Sequence, residues 1–422
     1  MKVMVIGGGA REHALVWKLT QSSKVDEIYV APGNAGTAAI AHNLDISPTN
    51  IEALADAAQQ HNIDLTVVGP EAPLALGIVD LFQSRGLTIF GPTQAAARLE
   101  SSKVFAKQLM QRHDIPCAQG VVFSSFSQAK DYLKLQPLPI VIKTDGLAAG
   151  KGTIVANSVE QALKTLSDMM DKRVFGAAGD RVIFDECLSG KEVSLLAFTD
   201  GKTVSPMVPA CDYKRALDFN QGPNTGGMGS YSPVSFFDHK QVELAQHTIL
   251  EPVVHAMAWE GIPYQGVLYA GLMLTSQGLK VLEFNARFGD PENQVMMPRL
   301  KTDLVDIMLA VIDGNLDRMK IDWSEEACVG VVMASAGYPS SYKTGFPITG
   351  LNKLGEGILV FHAGTKIGVG GKIYTDGGRV LTVVAGGKTI AEARAKVYQK
   401  LPDIHFEGCH YRKDIAAIES GE

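Results

Sequence analysis

The chain has 422 residues with 46% hydrophobic and 20% charged content, and its formal net charge of −6 argues against binding nucleic acid by neutralising phosphates. Its five cysteines, Cys117, Cys187, Cys211, Cys328 and Cys409, are scattered and form no C-x-x-C pair, which argues against a disulfide framework or structural zinc. The opening MKVMVIGGG reads as strand and turn rather than a secretory signal, and no window approaches the roughly 18 apolar residues of a membrane span, so a cytoplasmic protein with no membrane partner is expected.

In chain order, residues 3–6 form an apolar run and 12–20 have helical spacing. A second strand follows at 27–30, a helix at 51–61, a strand at 65–68, a helix at 78–85 and a strand at 87–90. This alternation predicts a doubly wound parallel α/β sheet over residues 1–100. Such sheets bind ligands at the carboxyl ends of their strands, where the loops 7–12, 32–37 and 69–74 lie. Residues 99–113 read as one helix leaving this domain, and a smaller α+β unit is expected over about 121–194. The stretch 206–230 has little periodicity and many Gly, Pro and Asn residues, as in a functional or disordered loop. Residues 264–288 read as a β-hairpin turning at SQG. Strand-rich composition returns in CVGVVMAS, GILVFHAG and RVLTVVAG, predicting a separate C-terminal domain over 325–422.

The glycines of GGGARE are not a dinucleotide fingerprint. Glu12 replaces the third glycine, and no acid ends the second strand. The turn still allows an anion to approach a helix N-terminus, with Arg11 as a charged contact, although a tight turn with no ligand fits too. GLAAGKG is one residue short of a Walker loop and has Gly152 where a hydroxyl is required. A Gly/Ala loop carrying Lys151, above Lys143 at a strand end, suits a cover over phosphates, or equally a solvated hairpin lysine. LEFNARFGDPE is more decisive. As a strand it puts Glu283, Asn285 and Arg287 on one face and Phe284, Ala286 and Phe288 on the other. A carboxylate, an amide oxygen and a guanidinium together suit a Mg²⁺–triphosphate. In VIFDECLSGKEVS, Glu186 and Glu192 are candidates for an adenine edge and a ribose.

A strand lysine, a small glycine-rich loop, a glutamate in a linker and E-x-N-x-R, in this order, resemble the ATP-grasp superfamily. Within it the chain resembles the phosphoribosylamine–glycine ligase (glycinamide ribonucleotide synthetase) family. The resemblance is carried by VIGGGAREHA, APGNAGT, VVGPEAPL, SSKVFAK, KTDGLAAGKG, DYKRALDFNQGPNTGGMGSYSP, EFNARFGDPE and HAGTK. It implies an α/β fold, α+β in parts. The N-terminal doubly wound parallel-sheet domain (1–100) precedes an ATP-grasp region (101–324) with a lid at about 121–194. A small β-rich C-terminal domain (325–422) completes the fold. It also implies ligation of glycine to 5-phosphoribosylamine, with ATP as substrate and Mg²⁺ or Mn²⁺ as metal, through a glycyl phosphate, in the second step of purine synthesis.

By position, Lys103 and Lys143 resemble the family's phosphate lysines, covered by the loop of Gly150, Lys151 and Gly152. Glu186, Leu188 and Glu192 resemble its adenosine contacts, Glu283 and Asn285 its metal ligands, and Arg287 its transition-state arginine, acting with Lys143. Gly9, Arg11, Glu12, Gly33, Asn34, Gly36, Pro70 and Glu71 resemble the ribosylamine site. Asp212, Lys214, Asn224, Thr225, Gly226, Asp290, Pro291 and Glu292 resemble the substrate loops. The chain departs from the family pattern at Gly8, Ala10, Tyr213 and Asn220, and the strand 269–273 lacks the metal glutamate of many ATP-grasp enzymes. Another ATP-grasp ligase or carboxylase is expected to lack GPNTGGMG and PGNAGT. A non-catalytic nucleotide sensor is expected to lose part of the E-x-N-x-R face. Monomer and homodimer both stay open.

Overall fold

The computed structural model describes residues 1–148 and 152–421. At the N-terminus, β1 (Lys2–Gly7), β2 (Glu27–Pro32), β3 (His42–Asn43), β4 (Leu65–Val68) and β5 (Ile89–Phe90) form a parallel sheet ordered β3-β2-β1-β4-β5. In β1, Val3 and Val5 pack into one apolar cluster and Met4 and Ile6 into another, so the strand is buried on both faces. Strand order reverses between β1 and β4, which opens a crevice at their carboxyl ends. The helix Ala10–Leu19 begins there, directly after β1.

The expected helix over 99–113 is two helices, Gln94–Ser101 and Lys103–Arg112. Ser102 breaks them apart. Its extended backbone lets its hydroxyl accept from Phe105 N at 3.1 Å as an N-cap, and the same hydroxyl donates to Asp145 Oδ1 at 2.9 Å. Next come β6 (Gly120–Phe123), β7 (Ile140–Thr144), β8 (Thr153–Ala156) and β9 (Val182–Glu186), an antiparallel sheet ordered β6-β9-β7-β8. With the helices Phe126–Leu133 and Val159–Leu166 it encloses its own core around Leu133, Ile142 and Phe184.

β10 (Lys191–Asp200) and β11 (Val204–Pro206) begin the central sheet. The stretch expected to be an aperiodic loop contains β12 (Cys211–Asp212), β13 (Arg215–Leu217), β14 (Gln221–Asn224) and β15 (Gly229–Ser232). These strands are too short to carry a period of their own; β13 pairs with β14 and β12 with β15, and β15 also pairs with the distant β18. β16 (Gln265–Thr275) and β17 (Gly278–Asn285) form the expected hairpin and complete the sheet β11-β10-β16-β17. β18 (Ala327–Ala334), β19 (Ile358–His362), β20 (Thr365–Ile367), β21 (Ile373–Thr375) and β22 (Arg379–Gly387) follow. The last sheet runs β12-β15-β18-β22-β19, with Ser230 opposite Gly330, so it takes strands from both sides of residue 325. Among the described residues no helix is long and apolar enough to cross a membrane.

Removing the hydroxyl at the helix break, Ser102→Ala, is expected to cost about 1 kcal/mol through the lost cap. The measurement is the urea midpoint, and an unchanged midpoint would show the cap to be dispensable.

Candidate active site

Lys103 sits in the first turn of its helix and donates from Nζ to Gly146 O at 3.2 Å. β7 buries Ile140, Ile142 and Thr144 and leaves Val141 and Lys143 on the other face. From there Lys143 Nζ reaches across to β17, donating to Leu282 O at 3.0 Å. Two residues expected in the phosphate loop, Gly150 and Lys151, lie outside the described residues. Gly152 is buried, and a Cβ there would come within 2.4 Å of Thr144 Oγ1, so the chain's return into β8 requires glycine. At the end of β9, Glu186 accepts from Gln119 N at 2.8 Å and from Lys280 Nζ at 3.0 Å. The Gln119 N–H, with Lys280, holds its carboxyl below the usual range. Leu188 follows half-buried, and Glu192, exposed on β10, pairs with Lys214 at 3.0 Å.

A bulge at Leu282 interrupts β17, and beyond it the predicted alternation holds: Phe284, Ala286 and Phe288 are buried, while Glu283, Asn285 and Arg287 are open on the opposite face. Burial alone would raise the Glu283 pKa. The nearby charges of Lys214, Lys103, Lys143 and Arg287 outweigh it and hold the carboxylate below its ordinary value. Lys214 Nζ lies 3.8 Å from Glu283. Arg287 is gripped more firmly than its sequence context suggests. Its guanidinium meets Glu71 at 3.3 Å and Glu100 at 3.1 Å, and donates to Phe288 O at 3.2 Å and Asn285 Oδ1 at 3.5 Å. Glu100 is buried and accepts from Ala286 N at 2.7 Å. Burial and the neighbouring Glu71 push its pKa up against the pull of Arg287. For Glu71, burial is outweighed by Arg287 and Arg11, and its pKa lies below the usual value.

The N-terminal loops close against the turn after β17. Arg11 pairs with Glu12 at 2.6 Å and donates to Phe288 O at 3.2 Å. Glu12 accepts from Gly9 N at 2.6 Å and lies so close to Gly69 that a Cβ there would meet it at 2.2 Å, which sets the path of the chain into Pro70 and Glu71. Gly8, a departure from the family pattern, packs on Gly33 with no space for a Cβ, 2.6 Å from Gly33 O. Asn34 is buried. It donates to Gly8 O at 3.0 Å and His362 O at 2.7 Å and accepts from Gly36 N at 2.8 Å.

On the other side, Asp212 and Lys214 border a small cavity with Glu192, Ser194 and Gly271. Burial and then Glu292 push the Asp212 carboxyl well above the usual range. Thr225 donates to Lys214 O at 2.9 Å, and Asn224 accepts from Arg215 at 3.4 Å. Pro291 abuts Gly227. Glu292 is buried, with its Oε1 taken by Tyr269 at 2.6 Å and Ser194 at 2.8 Å, so it sits behind the cleft.

Several residues whose contacts frame the cleft did not stand out in the sequence. Arg379, at the start of β22, contacts Gly226 O, donates to Asp290 O at 3.0 Å and pairs with the Asp290 carboxylate at 2.7 Å. Tyr338 accepts from Gly226 N at 2.9 Å. The double glycine before Arg379 was the only hint. Glu100, Lys107 and Asp185 lie in ordinary helix and strand contexts and gave none. The departures Tyr213 and Asn220 share one partner. Arg412, fully buried, stacks over Tyr213 at 4.7 Å and donates to Asn220 Oδ1 at 3.2 Å.

Family models match nearly the whole chain: "Phosphoribosylglycinamide synthetase, N domain" over residues 1–100, the "ATP-grasp (A) domain" of the same enzyme over 101–293, and its "C domain" over 328–418. The phosphoribosylamine–glycine ligase of Caldanaerobacter subterraneus subsp. tengcongensis is 51% identical over 99% of this chain and 100% of its own. That of Escherichia coli K12 is 50% identical over 99% of each. The crystal structure of the Thermotoga maritima phosphoribosylamine–glycine ligase, 33% identical, covers 99% of this chain and 100% of its own with a TM-score of 0.87. The biotin carboxylase domain of Hydrogenobacter thermophilus 2-oxoglutarate carboxylase, solved with MgADP, shares the fold at 16% identity and a TM-score of 0.74, covering 97% of this chain and 91% of its own.

Where the N-terminal loops meet the C-terminal sheet, His13 Nδ1 accepts from His362 N at 2.9 Å. Burial lowers the His13 pKa to about 3, with His362 adding to it, and burial lowers His362 to about 4. Both are neutral when folded, so below the ordinary value of 6.5 the unfolded chain takes up protons first. Their contribution to stability is fully present above pH 6.5 and is lost as pH falls, by up to about 1.4 kcal/mol per pH unit for each histidine. Urea midpoints at pH 7 and pH 5 are expected to differ less in His13→Gln than in the parent. Equal differences would contradict the assignment.

Proposed function

The chain belongs to the phosphoribosylglycinamide synthetase family and is an ATP-dependent ligase that joins glycine to phosphoribosylamine in purine biosynthesis; from that premise we propose how its residues divide the reaction. A carboxylate is a poor electrophile until one oxygen becomes a good leaving group. ATP therefore phosphorylates the glycine carboxylate, and the ribosylamine nitrogen attacks the resulting glycyl phosphate.

Lys103 and Lys143 hold the ATP phosphates from below, with the loop of Gly150 to Gly152 as cover that keeps the acyl phosphate from water. Glu186, Leu188 and Glu192 contact the adenosine. Arg287 meets the charge that develops on the transferring phosphoryl group. Its orientation is already set by Glu71 and Glu100, so little reorganisation is needed at the moment of reaction. Glu283 and Asn285 would hold Mg²⁺ or Mn²⁺. A carboxylate kept ionised by its neighbours and an amide oxygen fit a hard cation, and two protein oxygens fit one that arrives with the nucleotide and keeps phosphate and water ligands. When bound, such a cation neutralises phosphate charge and orients the γ-phosphate.

Gly9, Arg11, Glu12, Gly33, Asn34, Gly36, Pro70 and Glu71 form the ribosylamine side. Asp212, Lys214, the Asn224–Thr225–Gly226 loop and the Asp290–Pro291–Glu292 turn form the platform for glycine and its acceptor. The observation carrying this reading is the open face at the end of β17. Glu283, Asn285 and Arg287 share it with Lys143 and Lys214, which arrive from other segments.

Omitting Mg-ATP, glycine or ribosylamine in turn is expected to abolish ADP release. Release without one of them would point to another acid or amine. Glu283→Ala is expected to lose turnover and weaken Mg-ATP binding, and unchanged turnover would remove it from the metal site. Arg287→Ala is expected to lower kcat by about 10²–10³-fold with little change in the KM for ATP. A change in KM alone would demote it to ground-state binding.

A further inference from the structure

The lid sheet has two unlike faces. Val182 and Phe184 of β9 and Ile140 and Ile142 of β7 face the lid core. Asp185 and Lys143 lie on the other face as diagonal neighbours, since Val141 is directly opposite Asp185 and Ile183 opposite Lys143. Asp185 is only 2% exposed. Its Oδ1 lies 2.7 Å from Lys107 Nζ and its Oδ2 2.9 Å from Lys143 Nζ. Each oxygen is within ion-pair distance of a different ammonium group, so one carboxylate holds two lysines that come from separate elements. Lys107 is on the helix Lys103–Arg112 outside the lid, and its Nζ also donates to Ala118 O at 2.7 Å. The line Lys107–Asp185–Lys143–Leu282 therefore runs from that helix, through the lid sheet, to β17.

We propose that Asp185 is a positioning residue that sets the Lys143 ammonium for the nucleotide phosphates. Buried ion pairs add little net stability over apolar packing, so a buried carboxylate at a strand position suited to valine calls for another role. Lysine has a flexible four-carbon stem and three rotatable donors. Leu282 O and the Asp185 carboxylate each take one, which leaves the third for a phosphate oxygen. Lys107 offsets the carboxylate, so the trio keeps one net positive charge. The local chain makes space for this arrangement. Gly120 is opposite Asp185 on β6, and a Cβ there would fall 1.9 Å from Asp185 Oδ1.

The inference rests on the reading of Lys143 as a phosphate ligand, and Lys143→Met tests that reading separately. Asp185→Asn alone strands two buried ammonium groups, so the decisive variant is Asp185→Asn with Lys107→Met, which keeps the net charge and removes only the orientation. Its melting temperature is expected near the parent's, its KM for ATP at least tenfold higher, and its KM for glycine unchanged. A KM for ATP within twofold of the parent, or equal losses for ATP and glycine, overturns the role of Asp185. A KM for ATP unchanged in Lys143→Met overturns the phosphate-ligand reading itself, and the inference with it. If the double variant does not fold, Asp185→Glu carries the test. One added methylene is expected to raise the KM for ATP at least threefold without affecting glycine, and no change overturns the proposal.

Discussion

Charges gathered at the end of β17 are only partly in water, so each must meet an opposite charge before any substrate arrives. That requirement organises the molecule. Arg287 draws Glu71 from the N-terminal domain and Glu100 from the helix that leaves it. Lys143 draws Asp185 within the lid, and Lys214 draws Glu192 and Glu283 within the central sheet. Arg379 brings the C-terminal sheet to Asp290. Separate regions of the chain are thus held around one cleft by pairs whose members come from different elements.

The pairing also separates groups by task. Asp290 and Glu292 are two residues apart, yet one answers Arg379 at the cleft while the other is sealed behind it with Tyr269 and Ser194. Glu71 and Glu100 grip the same guanidinium, but Glu71 is drawn below its usual pKa while Glu100, deeper and beside a second carboxylate, is pushed above it. Identical side chains acquire opposite tendencies from depth and neighbours.

What the sequence disclosed was whatever carried a local period or a required glycine. The parallel α/β domain was legible because each strand and helix kept its own spacing, and the face of Glu283, Asn285 and Arg287 because alternation is unbroken from Glu283 to Phe288, past the bulge at Leu282. The helix break at Ser102 was hidden inside a continuous helical pattern, since a cap depends on one hydroxyl and not on a period. The strands of 211–232 were hidden because they are two to four residues long, too short to show an alternation. Glu100, Asp185 and Arg379 could not be picked out, because their significance comes from partners far away in the chain. Tyr213 and Asn220 were noticed only as departures. Their shared contact with Arg412 ties both to one buried side chain.

The sheet that joins β12 and β15 to β18 and β22 has a consequence for how the molecule is made. Synthesis runs from the N-terminus, and β15 leaves the ribosome long before its neighbour β18 exists. Until then β15 has an unpaired edge, and the loop carrying Asn224, Thr225 and Gly226 lacks Arg379 and Tyr338. A chain that stops before β18 can form the elements that carry Lys103 and Lys143 but not the contacts that hold this loop. The loop therefore gains its last contacts only once β22 has emerged, late in synthesis.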